Sequence, residues 1–332
     1  MNYFPLVEVL RNQRVESVHY GAWALCDTEG RVITARGNSQ VRFYWRSSAK
    51  PFQCVTVVHL GAAAQFTLTD EELAVICASH GAEEVHLSAV RGILKKCGLA
   101  ENALRCGPHL PLHGPSQERL LRRGESTLPI HNNCSGKHAG MLAACRQQNW
   151  PVESYLEPEH PLQRANLQTV SVFSGCREKE IGLGTDGCGV PSFYLSLQAL
   201  ATAYARLANP ESLPKDWRAS AQRIVQAMIS HPRLVAYEGH FNTELMQHLG
   251  KYLVAKGGAE GVFGLGLRGR GLGLAVKVSD GSSRAIPPLV VALLEKNVPG
   301  LPVTELRRRV YAPLTNTRGQ PVGTMRVLEQ AV

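Results

Sequence analysis

The sequence predicts an α+β fold in which antiparallel strands from both ends of the chain form one sheet and helices fill the middle. Residues 6–45 alternate as strands do and contain a tight turn at Thr28-Glu29-Gly30. Residues 261–279 return as two strands joined at Arg268-Gly269-Arg270. Because no repeat or low-complexity linker interrupts the chain, we expect a single domain, residues 1–332. Its sheet lobe is expected at about 1–46 and 252–332 and its helical lobe at about 47–251.

Capping signals define the helical middle. Thr69 and Glu72 have the spacing of a capping box, which begins a helix that runs toward Ser79. Gly98 is expected to end the next helix. Residues 105–133 are rich in Pro, Gly and His and are predicted to form a long loop. Further helices are expected near 47–59, 160–173, 192–208, 217–230 and 283–296, with a glycine-rich turn at 184–191 and a last helix and strand within 301–332.

Composition argues against two broad classes of function. The formal net charge is +9, but the basic residues are scattered and the longest run is Arg307-Arg308-Arg309. With only 6% aromatic residues there is no base-stacking platform, so we expect no nucleic-acid partner. No apolar run approaches the roughly 20 residues that span a bilayer, so we expect no membrane partner.

The cysteines indicate a reducing compartment. There are nine of them, an odd number, and no C-x-x-C pair occurs. This spacing does not suit a disulfide framework. Residues Met1 to Ser17 also lack a charged-then-apolar signal sequence. We therefore expect a soluble, cytoplasmic protein.

The chain is organised around the helix that opens with Ser47 and Lys50. Residues three apart lie on one helix face, so the Lys50 amine can reach the Ser47 hydroxyl. Pro51 is tolerated only in a first turn, which places Ser47 at the helix tip, where free N–H groups favour negative charge. This arrangement suits a serine nucleophile with a lysine base. Alternatively, Ser47 is only an N-cap and Lys50 only a solvated side chain.

A second serine and a second lysine complete a catalytic hypothesis. Ser79 ends the capped helix, and Lys256 lies in a K-x-G segment before the late strands. Chain order suggests that both converge on Ser47 and Lys50. Two neighbouring ammonium groups depress each other's pKa, so one lysine can lose its proton and act as a base.

Two glycine-rich segments bring together another set of reactive side chains. Cys134, Lys137 and His138 lie in one segment, and Asp186 and Cys188 lie in the other. Two thiolates with a carboxylate or imidazole would form a tetrahedral zinc site. Cys134 could instead be a nucleophile with His138, four residues on, as its base. Both cysteines could also simply be buried.

Five motifs together resemble the rhizobial-type (class 3) L-asparaginase family over about residues 6–330. They are R-S-S-A-K-P-x-Q (46–53), C-A-S-H (77–80), H-N-N-C-S-G-K-H-A-G-M (131–141), G-x-D-G-C-G-V-P (184–191) and A-K-x-G-A-E-G-V-F (255–263). The family is related to β-lactamase-like serine hydrolases and class A glutaminases. The order of elements is also similar to that of β-lactamases and penicillin-binding proteins.

The resemblance implies hydrolysis of L-asparagine to L-aspartate and ammonia by a β-lactamase-like enzyme, in the family a homodimer. Ser47 would be the nucleophile and Lys50 its base, with Ser79 and Lys256 as a second pair. Arg46, His80 and Asp186 would contact substrate. Zinc would be held by Cys134, Lys137 and Cys188. Three rivals stay open: a β-lactamase or penicillin-binding enzyme, a Cys134-dependent amidohydrolase, and a non-enzymatic zinc or amino-acid sensor.

Overall fold

A computed structural model describes residues 3–332. Its strands are β1 (Phe4–Arg11), β2 (Arg14–Asp27), β3 (Val32–Arg36), β4 (Arg42–Tyr44), β5 (Gly182–Thr185), β6 (Pro191–Ser196), β7 (Leu253–Gly258), β8 (Val262–Leu267), β9 (Leu272–Val278), β10 (Leu314–Thr315) and β11 (Pro321–Val327). Its helices are α1 (Lys50–His59), α2 (Ala62–Gln65), α3 (Asp70–Ile76), α4 (Glu84–Lys96), α5 (Gly114–Arg122), α6 (Ser135–Gln148), α7 (Pro161–Ser174), α8 (Leu197–Ala208), α9 (Lys215–Ser230), α10 (Pro232–Val235), α11 (Phe241–Leu249), α12 (Ile286–Asn297) and α13 (Thr304–Val310).

The main sheet joins the two ends of the chain. Its strand order is β10-β11-β1-β2-β9-β8-β7, with β3 also paired to β2, and every pairing is antiparallel. The ends meet twice, at β1 with β11 and at β2 with β9, where Ala24 faces Ala275. The predicted sheet from both chain ends and the predicted helical middle are therefore confirmed.

The helical lobe packs on this sheet through α8 and surrounds α1. Helix α1 contacts α6, α7 and α9, and α8 lies on β2, β8 and β9. Glycines allow the close approach of α8. A Cβ at Gly266 would lie 2.0 Å from the carbonyl oxygen of Tyr204, and one at Gly273 would lie 2.1 Å from that of Ala201. The buried apolar side chains of both lobes form one continuous core.

Three features differ from the sequence-based expectations. A second sheet, β4-β6-β5, occupies the predicted turn at 184–191 and the start of the predicted helix at 192–208. That helix instead begins at Leu197, where the Ser196 hydroxyl caps it by accepting the N–H of Ala199. Helix α5 lies in the predicted loop at 105–133. Among the described residues, no helix is long and apolar enough to cross a membrane.

We expect Gly266→Ala to destabilise the fold by about 3 kcal/mol, because the added methyl group overlaps the backbone of α8 and forces helix and sheet apart. Urea denaturation measures the free energy of unfolding. Gly114→Ala is the matched control, since a Cβ there meets nothing within 4 Å, and it should change stability by less than about 0.5 kcal/mol. Equal stability of the two variants would contradict this account of the packing.

Candidate active site

Ser47 lies at the tip of the organising helix, as its spacing predicts. A 3-10 turn, Arg46–Ala49, leads into α1, and Pro51 occupies the first helical turn. The α-helical bonding therefore begins slightly later than expected. Ser48 is fully buried and donates its hydroxyl to the carbonyl oxygen of Trp45 at 2.6 Å. Ser48 is thus the serine that stabilises the turn locally, whereas Ser47 is partly exposed and lines a cavity.

Strand β7 presses directly against this tip. A Cβ at Gly258 would lie 2.9 Å from the carbonyl oxygen of Trp45 and 3.3 Å from the backbone nitrogen of Ser47. Only glycine permits an approach this close. The contact brings the end of β7, and with it Lys256, beside the predicted nucleophile.

Lys50, Ser79 and Lys256 form one buried chain of polar groups. The Ser79 hydroxyl lies 3.0 Å from the Lys50 amine and 3.0 Å from the Lys256 amine. Both lysines are 1% exposed. Ser79, Lys256 and Ser47 also line the same cavity. The structure therefore joins Lys50, Ser79 and Lys256 and places Ser47 on the same cavity as Ser79 and Lys256. Among residues 3–332 no hydrogen bond joins Lys50 to Ser47, whose expected contact stays a prediction.

The two lysines have different surroundings. Lys50 donates to the carbonyl oxygen of Ala78 at 2.5 Å and also faces Ser79 and the side-chain oxygen of Asn133. Three acceptors suit the three N–H bonds of an ammonium group. Lys256 has only Ser79 and the carbonyl oxygen of Gly257. Burial, together with the nearby Lys50, holds the pKa of Lys256 well below its usual value. Lys256 is thus the lysine poised to be neutral.

The cysteine cluster forms as expected beside this chain. Cys134, Lys137 and Cys188 are nearly fully buried, and the Lys137 amine lies 3.0 Å from the Cys188 sulfur. Asp186 Oδ2 is 4.0 Å from both of those atoms. Asn133 links the two groups, since its side-chain oxygen also accepts from Cys134 at 3.3 Å.

The cluster concentrates negative charge on Cys188. A hydrogen bond from Cys134 and the charge of Lys137 lower the pKa of Cys188 to about 5, against the opposing effect of burial. The same hydrogen bond, with burial, raises the pKa of Cys134 to about 12. Burial disfavours the charged form of Lys137, but the facing Cys188, Cys134 and Asp186 outweigh it and raise the pKa of Lys137. One thiolate and one ammonium therefore share this pocket.

The donor set is suitable for zinc only when Lys137 is counted as a ligand. Within residues 3–332 no three His, Cys, Asp or Glu side chains could hold a metal ion together. Two sulfurs and one amine, all buried and converging, are nevertheless ligands that zinc accepts. Lys137 would have to give up its proton to bind, as any amine ligand must.

The alternative pairing of Cys134 with His138 is not formed. His138 turns its Nδ1 to the hydroxyl of Tyr155 at 2.6 Å, and its buried Nε2 has no hydrogen-bond partner among the described residues. Burial, followed by Lys137, lowers the pKa of His138 to about 3. Because the His138 ring bonds to Tyr155, it is not placed to act as a base for Cys134.

Arg46 and Asp186 contact each other. Arg46 Nε donates to Asp186 Oδ1 at 2.7 Å. Burial alone would raise the pKa of Asp186, but Lys137 and Arg46 outweigh burial and lower it. The pair lies next to the cysteine cluster, since Asp186 Oδ2 is 4.0 Å from the Lys137 amine.

His80 has no ring nitrogen free for a ligand. It is fully buried, its Nδ1 accepts the N–H of Ala82, and its Nε2 lies 2.8 Å from the Ser135 hydroxyl. That hydroxyl donates in turn to the carbonyl oxygen of Ile130. The pattern fits a neutral imidazole, and burial keeps the pKa of His80 well below its usual value. A direct contact with substrate stays a prediction, and the geometry favours a positioning role.

Three polar residues that the sequence analysis did not assign also belong to the site. Asn133 bridges Lys50 and Cys134 as described. Asn242 accepts the N–H of Gly257 through its side-chain oxygen at 3.3 Å. His240 accepts the N–H of Asn242, and burial with the nearby Lys256 lowers the pKa of His240 to about 4. His240 and Asn242 lie at the start of α11 and belong to no motif in the sequence, which explains why neither could be assigned to the site.

The cavity beside Ser47 has a volume of about 710 Å³. Its lining includes Ser47, Ser79, Asn133, His240, Asn242 and Lys256. A second concavity of about 760 Å³ lies against α8 and α9, and none of the predicted site residues lines it. The chemistry-bearing side chains therefore single out the first cavity as the candidate active site.

The cavity is lined by Ser47, Ser79 and Lys256, and Lys50 bonds to Ser79 from behind the lining. These groups suit a hydrolytic site. The chain is similar, over residues 7–327, to the family described as L-asparaginase II. The match spans nearly all of the sequence, and the protein belongs to the L-asparaginase II family.

Comparison with solved structures adds more distant similarities. A β-lactamase from Mycobacterium bovis aligns over 83% of this chain and 94% of its own, at 14% identity and a TM-score of 0.42. A structure of Mglu in its tris and glutamate form aligns over 83% of this chain at 14% identity, with a TM-score of 0.39. This chain spans 58% of the length of that Mglu chain. No curated protein matches the sequence.

We expect Lys256→Met to weaken the dependence of stability on pH. Between the lowered pKa of folded Lys256 and about 10.4 in the unfolded chain, the unfolded state binds one more proton, so stability rises with pH. Removing the amine should reduce that slope by up to about 1.4 kcal/mol per pH unit. Urea denaturation at several pH values measures the slope. Lys95→Met is the control, because Lys95 is exposed, and an unchanged slope in Lys256→Met would refute the assignment.

Proposed function

We propose that this protein hydrolyses L-asparagine to L-aspartate and ammonia through an acyl-enzyme on Ser47. One observation carries the proposal: the Ser79 hydroxyl lies 3.0 Å from both Lys50 and Lys256, at the edge of the cavity that Ser47 lines. Membership of the L-asparaginase II family supports the choice of substrate.

Proton transfer along this chain would activate Ser47. Lys50, as an ammonium, passes a proton to Ser79, and Ser79 passes its own proton to the neutral Lys256. Lys50 is then a neutral amine on the same helix face as Ser47 and takes the Ser47 proton as the oxygen attacks the side-chain amide. The lowered pKa of Lys256 makes it a suitable final acceptor.

The same chain, working in reverse, would release ammonia. The amide C–N bond breaks as Ser79 protonates the departing nitrogen and recovers a proton from Lys256. Water then hydrolyses the Ser47 ester and frees aspartate. The backbone N–H of Ser48 already donates to the carbonyl oxygen of Trp45, so the N–H of Ser47, at the tip of this turn, would stabilise the oxyanion in both steps.

Charged groups on the cysteine side would hold the aspartyl part. Asp186 can pair with the α-ammonium group of the substrate, and Arg46 can pair with its carboxylate. The two side chains already contact each other at 2.7 Å, so substrate would exchange one ion pair for two.

We also propose that Cys134, Lys137 and Cys188 hold a zinc ion, whose positive charge would help to orient the substrate. The side-chain oxygen of Asn133 accepts from both Cys134 and Lys50, so it would fix the position of the zinc ligands relative to the catalytic chain. A homodimer and a cytoplasmic location complete the proposal. All nine cysteines are free thiols, which suits a reducing compartment.

We expect Ser47→Ala to abolish ammonia release from L-asparagine, because no acyl-enzyme can form. Lys256→Met should lower kcat at least about 100-fold, since the final proton acceptor is lost. Ammonia release, followed in a coupled assay, measures both effects. Mass spectrometry of quenched reactions should show the acylated chain in wild type and not in Ser47→Ala.

Lys277→Met is the matched control for the lysine substitution. Lys277 is also a buried lysine on the sheet, but it donates to the carbonyl oxygens of Glu260 and Val278. This variant should keep wild-type turnover. Full activity in Ser47→Ala would overturn the mechanism, and turnover of a chromogenic β-lactam without ammonia release from asparagine would favour a β-lactamase.

We expect Cys188→Ala to weaken zinc binding by more than the 10–100-fold that is typical of losing an outer-shell contact, because the strongest donor is removed. Competition with a chromophoric chelator measures the affinity independently of turnover. Cys106→Ala is the control, since Cys106 is a neighbouring buried thiol that donates to the carbonyl oxygen of Pro129. Equal zinc affinity in the two variants would exclude the proposed ligand set.

A further inference from the structure

The cavity beside Ser47 is larger than asparagine requires. Its volume of about 710 Å³ lies in the range of roughly 300–1,000 Å³ that holds drug-sized ligands. Asparagine is far smaller than such ligands and has no apolar group beyond its methylene. Most of this space would therefore stay empty with asparagine bound at Ser47.

The walls of the spare volume are apolar. The larger part of the lining is apolar and includes Tyr237, Phe241, Phe263, Ile286, Val310 and Met325, with Glu244, Ser283, Arg284 and Arg309 among them. The charged side chains on the lining already have partners: Arg309 pairs with Glu244 at 2.7 Å, and Arg284 bonds to His19 and Ser17. This surface would favour an apolar occupant, and burying one there gains roughly 25 cal/mol for each Å².

The spare volume lies on the leaving-group side of the site. Ser79 and Lys256, which would protonate the departing nitrogen, line the cavity, whereas Arg46 and Asp186 are absent from its described lining. The aspartyl part would face Arg46 and Asp186. A substituent on the amide nitrogen would accordingly point into the apolar space.

We propose that this site cleaves L-aspartate β-amides whose nitrogen carries an apolar group. The inference rests on the proposed function and extends it to the leaving group. Ser47 attacks the β-carbonyl carbon, the C–N bond breaks, and Ser79 protonates the nitrogen, which leaves as a primary amine instead of ammonia. Water hydrolyses the ester and releases aspartate. The products of asparagine and of the substituted amide differ only in the amine.

Two kinds of compound share this chemistry, and two probes separate them. L-Aspartate β-benzylamide carries only the apolar ring. β-Aspartyl-phenylalanine carries the ring and a carboxylate, which would meet Arg284 or Arg309. A preference for the first indicates arylamine or alkylamine amides, and a preference for the second indicates β-aspartyl peptides.

The decisive experiment compares kcat/KM of wild type for L-asparagine and for both probes, with release of the amine detected by chromatography. We expect at least one probe to be cleaved within about tenfold of asparagine and at lower KM. Val310→Trp, which fills the apolar space from α13, should lower kcat/KM for that probe by about tenfold or more and leave asparagine within about twofold. Arg308→Trp is the matched control, because Arg308 is on the same helix but exposed and outside the cavity.

Failure of this inference can be told apart from failure of the proposed function. If wild type cleaves asparagine but cleaves both probes at less than about a tenth of that kcat/KM, the inference is overturned and the asparaginase assignment stands. If neither asparagine nor a probe is cleaved, the proposed function itself falls. Should Val310→Trp perturb folding, Met325→Phe provides a second filling substitution, with asparagine turnover as the internal check. Equal kcat/KM values for the cleaved probe in wild type and a folded filling variant would also overturn the inference.

Discussion

The site depends on one hydroxyl held between two amines in the protein interior. Lys50 and Lys256 each lie 3.0 Å from Ser79, so their nitrogens are at most about 6 Å apart. Burial and, after it, the nearby charge of Lys50 lower the pKa of Lys256. Before substrate reacts, a second positive charge is therefore disfavoured, and Lys256, which has fewer acceptors, is the lysine held neutral.

The rest of the fold holds these polar groups in the protein interior, where burial of their charged forms is unfavourable. Two backbone hydrogen bonds hold Ser79 in place. The N–H of Ser79 donates to the carbonyl oxygen of Val235, and the N–H of His80 donates to the carbonyl oxygen of Asn133. Lys256 comes from β7, the strand of the sheet that lies against the tip of α1. Gly258 makes that contact possible. The polar cluster therefore draws its members from both the sheet and the helical lobe.

The parts of the fold with strong local signals could be predicted from the sequence. The capping box forms as expected, with Thr69 accepting the N–H of Glu72 and Glu72 accepting that of Thr69. The i, i+3 spacing favoured Ser47 over Ser48, and in the structure the buried Ser48 hydroxyl donates to the carbonyl oxygen of Trp45. The order of elements placed the sheet at both ends of the chain. Each of these predictions rests on neighbours in sequence or on chain order.

The remainder depended on contacts that no local pattern encodes. His138 has the spacing to reach Cys134, but it bonds to Tyr155, seventeen residues away, and Tyr155 carries no signal for that role. Asn242 matters because β7 lies beside it, not because of its neighbours in sequence. The small sheet was missed because Pro191–Ser196 is a short apolar run, which periodicity alone cannot separate from the start of a buried helix. Long-range packing decided all three.

The cavity and the charged residues outside its lining have opposite chemistry, which suits the two parts of the proposed substrate, an amide of aspartate. The aspartyl part is a zwitterion and needs fixed charges of both signs, which Arg46, Asp186 and the cysteine cluster offer. The departing amine would need a proton and then a path away from the ester. Carboxylates in the cavity wall would bind it once it became an ammonium and slow its release. An apolar wall next to Lys256 favours the neutral amine in the same way that it favours neutral Lys256. The environment that depresses the pKa of the base thus also shapes the leaving-group side of the site.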